Sequence, residues 1–317
     1  MSLQGLTVHD AGQLTRSPAE PSRARVIAIW WFACLLWSAG WLFLKVGLRD
    51  IPPITFASLR LGLALAVLIP IVAWRREWRL LRKEDVPAIA ISGLLLLGVN
   101  YALTFWGAQF LPSALTSVLQ ASSPVIGYVI GTLSGAERFT IARGAALPLG
   151  VIGVALISRA EFGSGNVAAL GTVAVLGGAA CAASAYAIAK RRITHLPPSL
   201  TSTTQTLVAF VALMPAALLI DGSPASITWT PAAVGSLAYL GIASSVAAFW
   251  LNYWLLQRMT ATTVLSMALV QPLIAAALGA ALLGERFDAE AAIGGALILV
   301  SAAVILRGGE RGRTHKK

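Results

Sequence analysis

The chain has 317 residues, of which 57% are hydrophobic and only 12% charged, and its mean hydropathy is +0.77. A soluble domain carries about 25% charged residues, so the composition excludes a water-soluble globule and points to a membrane protein. The formal net charge of +11 does not indicate nucleic-acid binding, because the basic residues are sorted between alternate loops.

In chain order, residues 1–25 are polar, rich in Ser, Pro and Arg. They lack the apolar stretch and cleavage site of a secretory signal, which predicts an uncleaved tail. Crossing a hydrocarbon core of about 30 Å takes roughly 20 apolar residues. Ten such runs follow: 26–48, 54–74, 86–108, 112–134, 140–158, 167–189, 199–220, 231–255, 261–283 and 289–306. Each must satisfy its own backbone in lipid, and none alternates as a barrel strand would, so the expected fold is all-α. Residues 307–317 form a basic second tail. Cys34 and Cys181 both fall within runs and read as small core residues rather than as a disulfide.

With the N-terminus cytoplasmic, the tails and even-numbered loops hold 19 of the 24 Lys and Arg residues. Arg49, Arg159 and Arg286 fall on the other side, and Lys45 and Arg60 lie within runs. Positive-inside logic therefore places both termini in the cytoplasm, with anionic inner-leaflet lipid as a partner.

The chain is also a duplication. An offset of 148 carries Glu137-Arg138-Phe139 to Glu285-Arg286-Phe287, Pro124 to Pro272 and Trp106 to Trp254, with 13 ungapped identities between 103–159 and 251–307. Five runs per repeat is an odd number, so the halves, 26–158 and 167–306, have opposite orientation. Such inverted repeats recur in secondary transporters with a site near the bilayer midplane. The Glu-Arg-Phe triple marks a turn between the fourth and fifth passes, where the acid can approach the N-terminus of the next helix.

The two halves, the turns GAERF at 135–139 and GERF at 284–287, LWSAGWLFLKVGL in the first run, Pro52-Pro53 and FASLRLGLA resemble the EamA-type members of the drug/metabolite transporter superfamily. The likeness covers residues 26–307 and is specific for fold and transport but not for substrate. Among its members the bacterial aromatic amino-acid exporters are the nearest match. The resemblance implies export by alternating access, without a cofactor, from a bacterial inner membrane.

All thirteen acidic residues lie in tails, loops or at run ends. With no carboxylate at mid-membrane, an intramembrane proton relay is not expected, and facilitated efflux is the simpler mechanism. Lys45 and Arg60 could each attract a substrate carboxylate, or could snorkel or pair with carbonyls. Candidate cavity residues are Trp41, Asn100, Tyr101, Gln120, Tyr186, Gln205, Trp250, Asn252, Tyr253, Met267 and Gln271. Amides at membrane depth need partners, and aromatics can stack on a planar apolar substrate; the alternative is that they join and pack helices. In particular, Asn100, Gln120, Asn252 and Gln271 are expected to border one cavity. Pro124 and Pro272 are expected helix bends, each followed by small residues four apart.

An intramembrane enzyme would need a nucleophile and base, or paired acids, at membrane depth, and the sequence offers neither: His9, His195 and His315 all fall in tails or loops. A channel would show a polar stripe, often assembled by oligomerisation. No metal-ligand cluster or phosphate loop is present, nucleic acid is not an expected partner, and one chain suffices for the fold.

Overall fold

The structure is a computed structural model that describes residues 22–133, 139–162, 166–193, 195–223, 225, 227–256, 258–259, 267–285 and 288–314. Among the described residues it is an all-helical membrane bundle of ten passes. They are α1 (Arg23–Gly47), α2 (Pro53–Trp74), α3 (Val86–Gly93, Leu94–Val99 and Asn100–Ala108), α4 (Ser113–Gln120 and Ser123–Leu133), α5 (Ile141–Gly144 and Leu147–Phe162), α6 (Asn166–Arg192), α7 (Pro198–Ile220), α8 (Pro231–Ala238, Tyr239–Ala247 and Ala248–Leu256), α9 (Met267–Leu283) and α10 (Ala289–Thr314). Among the described residues seven passes are long and apolar enough to cross a bilayer unaided, and Ile141–Leu156, Met267–Leu283 and Ala289–Ile305 are shorter apolar helices.

Packing follows the inverted duplication. Passes occupying the same place in the two halves pair with each other: α2 with α7, α4 with α9 and α5 with α10. The first pass of each half packs on the third pass of the other, α1 on α8 and α6 on α3. Lipid offers no hydrophobic drive between helices, so close approach depends on small residues. A Cβ on Gly107 of α3 would lie 2.6 Å from Gly171 O of α6, and one on Gly153 of α5 would lie 2.5 Å from Gly294 O of α10. Gly127 of α4 faces Ala183 of α6 in ordinary contact, so the small-residue run there serves packing.

The third pass of each half contains a widened π turn, Leu94–Val99 in α3 and Tyr239–Ala247 in α8. Adding 148 to the first segment lands inside the second. Wide turns of this kind concentrate at functional sites, and here they occupy equivalent positions in the two halves.

The fourth run, expected as one bent helix, is two helices broken at Ala121-Ser122. Pro124 has no N–H to give to Gln120 O. That carbonyl instead accepts from Ser123 Oγ at 2.6 Å, while Ser122 Oγ donates to Leu119 O at 2.6 Å. Pro272, its counterpart, lies inside the continuous helix α9.

α2 and α7 both start on the second proline of a Pro-Pro pair, the first being the N-cap, and are tied at both ends. At one face Asp221, which ends α7, accepts from Thr55 N at 2.7 Å and Thr55 Oγ1 at 3.0 Å, capping α2. At the other, Glu77 after α2 accepts from Ser199 Oγ near the start of α7. A carboxylate on a helix N-terminus satisfies orphan N–H groups and complements the helix dipole. Replacing Asp221 with alanine is expected to cost about 1–2 kcal/mol, read as a lowered thermal midpoint in detergent with unchanged helicity. A midpoint equal to the parent's would show that the cap is not stabilising.

Candidate functional site

Arg60 lies about 10 Å along α2 from its start, at 1.5 Å per residue. It keeps only 8% of its surface accessible, so the snorkelling considered for it does not occur. The reason is local: the π turn of α8 presents two adjacent serines to the guanidinium. Nε donates to Ser245 Oγ at 2.9 Å and Nη2 to Ser244 Oγ at 3.3 Å. Ser245 Oγ in turn donates to Leu240 O at 2.8 Å, five residues back along the wide turn. Trp37 Nε1 of α1 donates to Ser244 O at 3.2 Å, pinning the same backbone.

The other side of the guanidinium meets aromatic faces. Its Cζ lies 4.8 Å from the Tyr101 ring centroid and 5.9 Å from that of Phe105, two rings of α3 stacked on each other at 5.6 Å. Among the described residues no carboxylate lies within 4.0 Å of Arg60 and its Nη1 makes no hydrogen bond. A buried cation without a counter-ion is costly; hydroxyl acceptors and π faces offset part of that cost. What remains is a fixed positive site suited to an anion.

One helix face away, Asn100 and Thr104 of α3 meet Gln120 at the break in α4. Thr104 Oγ1 donates to Asn100 Oδ1 at 3.0 Å, Gln120 Nε2 donates to Asn100 Oδ1 at 2.9 Å and to Thr104 Oγ1, and Asn100 Nδ2 closes on Leu96 O at 3.0 Å in the π turn. Gly178 of α6 lies against this cluster; a Cβ there would be 2.7 Å from Asn100 Oδ1. Residues 100 and 104 thus share one face of α3 and 101 and 105 the next, placing the amide cluster and the Arg60 site side by side.

The remaining candidates are dispersed. Of the four amides expected to border one cavity, Gln120 is hydrogen-bonded to Asn100, while the Asn252 and Gln271 side chains make no hydrogen bond among the described residues. Gln205 of α7 donates to Ser92 Oγ of α3 at 2.8 Å and holds those two helices together. Lys45 carries its ammonium to the C-terminal carbonyls of α3, donating to Ala108 O at 3.1 Å, Gln109 O at 2.9 Å and Leu111 O at 2.7 Å. This is the carbonyl pairing named as its alternative, and it complements the negative end of a helix.

Trp41 packs against the core formed by α1, α2, α3, α7 and α8. Met267 is buried with Ala33, Cys34 and Leu255. Trp250 is 44% exposed with the Arg75 guanidinium 4.8 Å over its ring, and Tyr186 is 57% exposed on α6. The side chain of Tyr253 lies outside the described residues. Glu285 also departs from expectation. It caps the start of α4 rather than the next helix, accepting from Ser113 N at 2.9 Å and Ser113 Oγ at 2.7 Å. Gly284, at φ +66, reverses the chain and makes that reach possible.

The sequence does not mark Ser244 and Ser245, since serines in apolar helices are common. The available signal was an adjacent hydroxyl pair opposite an arginine in need of acceptors.

The chain matches a family model described as the EamA-like transporter family over residues 26–159 and 169–307, one match per repeat. It is 29% identical over 266 residues to the uncharacterized transporter YoaV of Bacillus subtilis (strain 168), covering 83% of this chain and 90% of that protein. It is 26% identical over 278 residues to a probable amino-acid metabolite efflux pump of Escherichia coli (strain K12), covering 84% of this chain and 89% of the relative. A crystal structure 21% identical in sequence aligns over 93% of this chain and 100% of its own with a TM-score of 0.62, showing the same fold.

Proposed function

Since this chain belongs to the EamA-like transporter family, we propose that it exports small carboxylate-bearing metabolites, foremost amino acids with aromatic or other apolar side chains. The observation that carries this is Arg60: a buried guanidinium, fixed by Ser244 and Ser245 with its Cζ 4.8 Å from the Tyr101 ring centroid, without a carboxylate of its own among the described residues. A substrate carboxylate would supply the missing counter-ion, and the Tyr101 and Phe105 rings beside it would favour an apolar or planar side chain. The similarity to a probable amino-acid metabolite efflux pump supports the same class.

The protein works by alternating access, its inverted halves opening the site to one side at a time, as a monomer in a bacterial inner membrane with both termini cytoplasmic. Its partners are the substrate and the lipid of the bilayer. The described acidic side chains sit in loops or near the ends of passes, which favours efflux down the substrate gradient over proton exchange.

The test is efflux from proteoliposomes holding only this protein and preloaded with labelled phenylalanine or tryptophan, with and without an imposed pH gradient. Protein-dependent efflux indifferent to the gradient is expected. Efflux driven by the gradient would replace facilitated export with proton coupling, and absence of efflux would remove aromatic amino acids as substrates.

A further inference from the structure

Along residues 113–122, the first segment of α4 and its break, every residue is buried except Gln120. That segment packs on α1, α3, α6, α9 and α10, so the opening at Gln120 faces the interior of the bundle rather than lipid.

The neighbours of Gln120 fix the orientation of its amide. Leu96 O can only accept, so Asn100 gives it Nδ2 and turns Oδ1 toward Gln120. Gln120 must answer with nitrogen, and its two N–H groups go to Asn100 Oδ1 and Thr104 Oγ1. Its Oε1 is left over: it accepts no hydrogen bond among the described residues and is not sealed off from accessible space. Arg60 Nη1, of opposite polarity, is in the same condition. The helix Ser113–Gln120 also ends at this point, and the partial negative charge of a helix C-terminus favours a cation.

The two groups border the same passes. α1 packs both on the first segment of α4 and on the π turn of α8 that holds Arg60, while the Asn100–Ala108 segment of α3 packs both on α4 and on α2. Adjacent residues of α3 serve the two sites, Asn100 binding the Gln120 amide and Tyr101 facing the Arg60 guanidinium.

We propose that Gln120 Oε1, with the helix end behind it, receives the substrate's α-ammonium while Arg60 takes the carboxylate, so that the transporter selects zwitterionic α-amino acids over simple carboxylic acids. Asn100 and Thr104 are positioning residues, since they occupy both N–H groups of the amide and leave its oxygen to the substrate. This assignment rests on the export reading above.

The test reads initial efflux of labelled phenylalanine from proteoliposomes containing the full chain. Two concentrations are measured: the phenylalanine that half-saturates efflux, and the 3-phenylpropanoate, equal on both sides of the membrane, that halves efflux at low phenylalanine. 3-Phenylpropanoate keeps the ring and the carboxylate but has no ammonium. In the parent the second concentration should exceed the first by roughly tenfold to a hundredfold, the worth of a hydrogen bond to a charged group. Gln120→Leu should bring the two within about threefold by weakening phenylalanine alone. Unchanged inhibition by 3-phenylpropanoate then reports an intact fold. Gln120→Glu keeps an oxygen for the ammonium but has no N–H for Asn100 and Thr104, and it should retain the parent's preference; it decides alone if Q120L does not fold.

Comparable concentrations in the parent would overturn the ammonium site and leave the carboxylate reading in place, whereas absence of phenylalanine efflux would remove both. Preference that survives in Q120L, or that is lost in Q120E as in Q120L, would reduce Gln120 to a joint between α3 and α4 and overturn the proposal.

Discussion

Replacing Arg60 by alanine is expected to reduce export of a carboxylate substrate by roughly 30-fold to several thousand-fold while leaving the folded yield largely intact. Truncating one member of a buried, hydrogen-bonded charge pair costs about 2–5 kcal/mol, and each 1.4 kcal/mol is tenfold. The fold tolerates the change because the partners left behind are two serine hydroxyls and two ring faces, and Ser245 Oγ already donates to Leu240 O. Arg60→Lys retains the charge but should recover only part of the activity. An ammonium has one nitrogen and cannot reach Ser244 and Ser245 from two separate nitrogens while keeping its charge over the Tyr101 ring, as the guanidinium does. The measurement is initial efflux against internal substrate concentration for the parent, R60A and R60K, together with a substrate amide lacking the carboxylate. If the parent discriminates between acid and amide and R60A does not, Arg60 reads the carboxylate. Equal discrimination by both would remove it from the site.

Gly107→Val is expected to lower the thermal midpoint sharply and to leave little protein surviving extraction. The new Cβ would meet Gly171 O at 2.6 Å and Val175 Cγ2 at 2.8 Å. One of these is a backbone atom of α6, which cannot move aside without shifting a whole pass. Overpacking typically costs about 1–3 kcal/mol, and here it falls on the α3–α6 contact that positions Asn100, Thr104 and Gln120 against Gly178. Gly235→Ala is the matched control, since nothing lies within 4 Å of the added methyl. Equal midpoints for G107V and G235A, measured side by side in the same detergent, would show that α3 and α6 can separate without loss.

The duplication was legible because its markers are covalent neighbours: Glu-Arg-Phe, the single prolines and the tryptophans recur at one offset whatever the chain does in space. The small-residue positions of α4 and α9 were legible for the same reason. The partner of a polar side chain was not, as Glu285 illustrates. Its sequence neighbourhood pointed to the adjacent helix, yet its carboxylate reaches Ser113, 172 positions away. Arg60 finds Ser245 at a separation of 185, and the π turn that presents this serine has no pattern distinguishing it from the apolar residues around it. Lys45 and Arg60 were equivalent in sequence, two cations near the same end of adjacent passes. The structure separates them by what lies opposite: a helix C-terminus with three carbonyls for Lys45, and hydroxyls and aromatic faces for Arg60.

By itself the sequence determined that this is an all-helical, ten-pass membrane protein with two inverted halves. Lipid allows no unsatisfied backbone, so each run of about twenty apolar residues has one available form, and an odd number of passes per repeat dictates the inversion. Only the tertiary structure decided which polar groups face one another across the halves. In a low-dielectric interior a charge settles wherever hydroxyls, carbonyls or helix ends happen to converge, and that convergence is a property of packing between passes far apart in the chain.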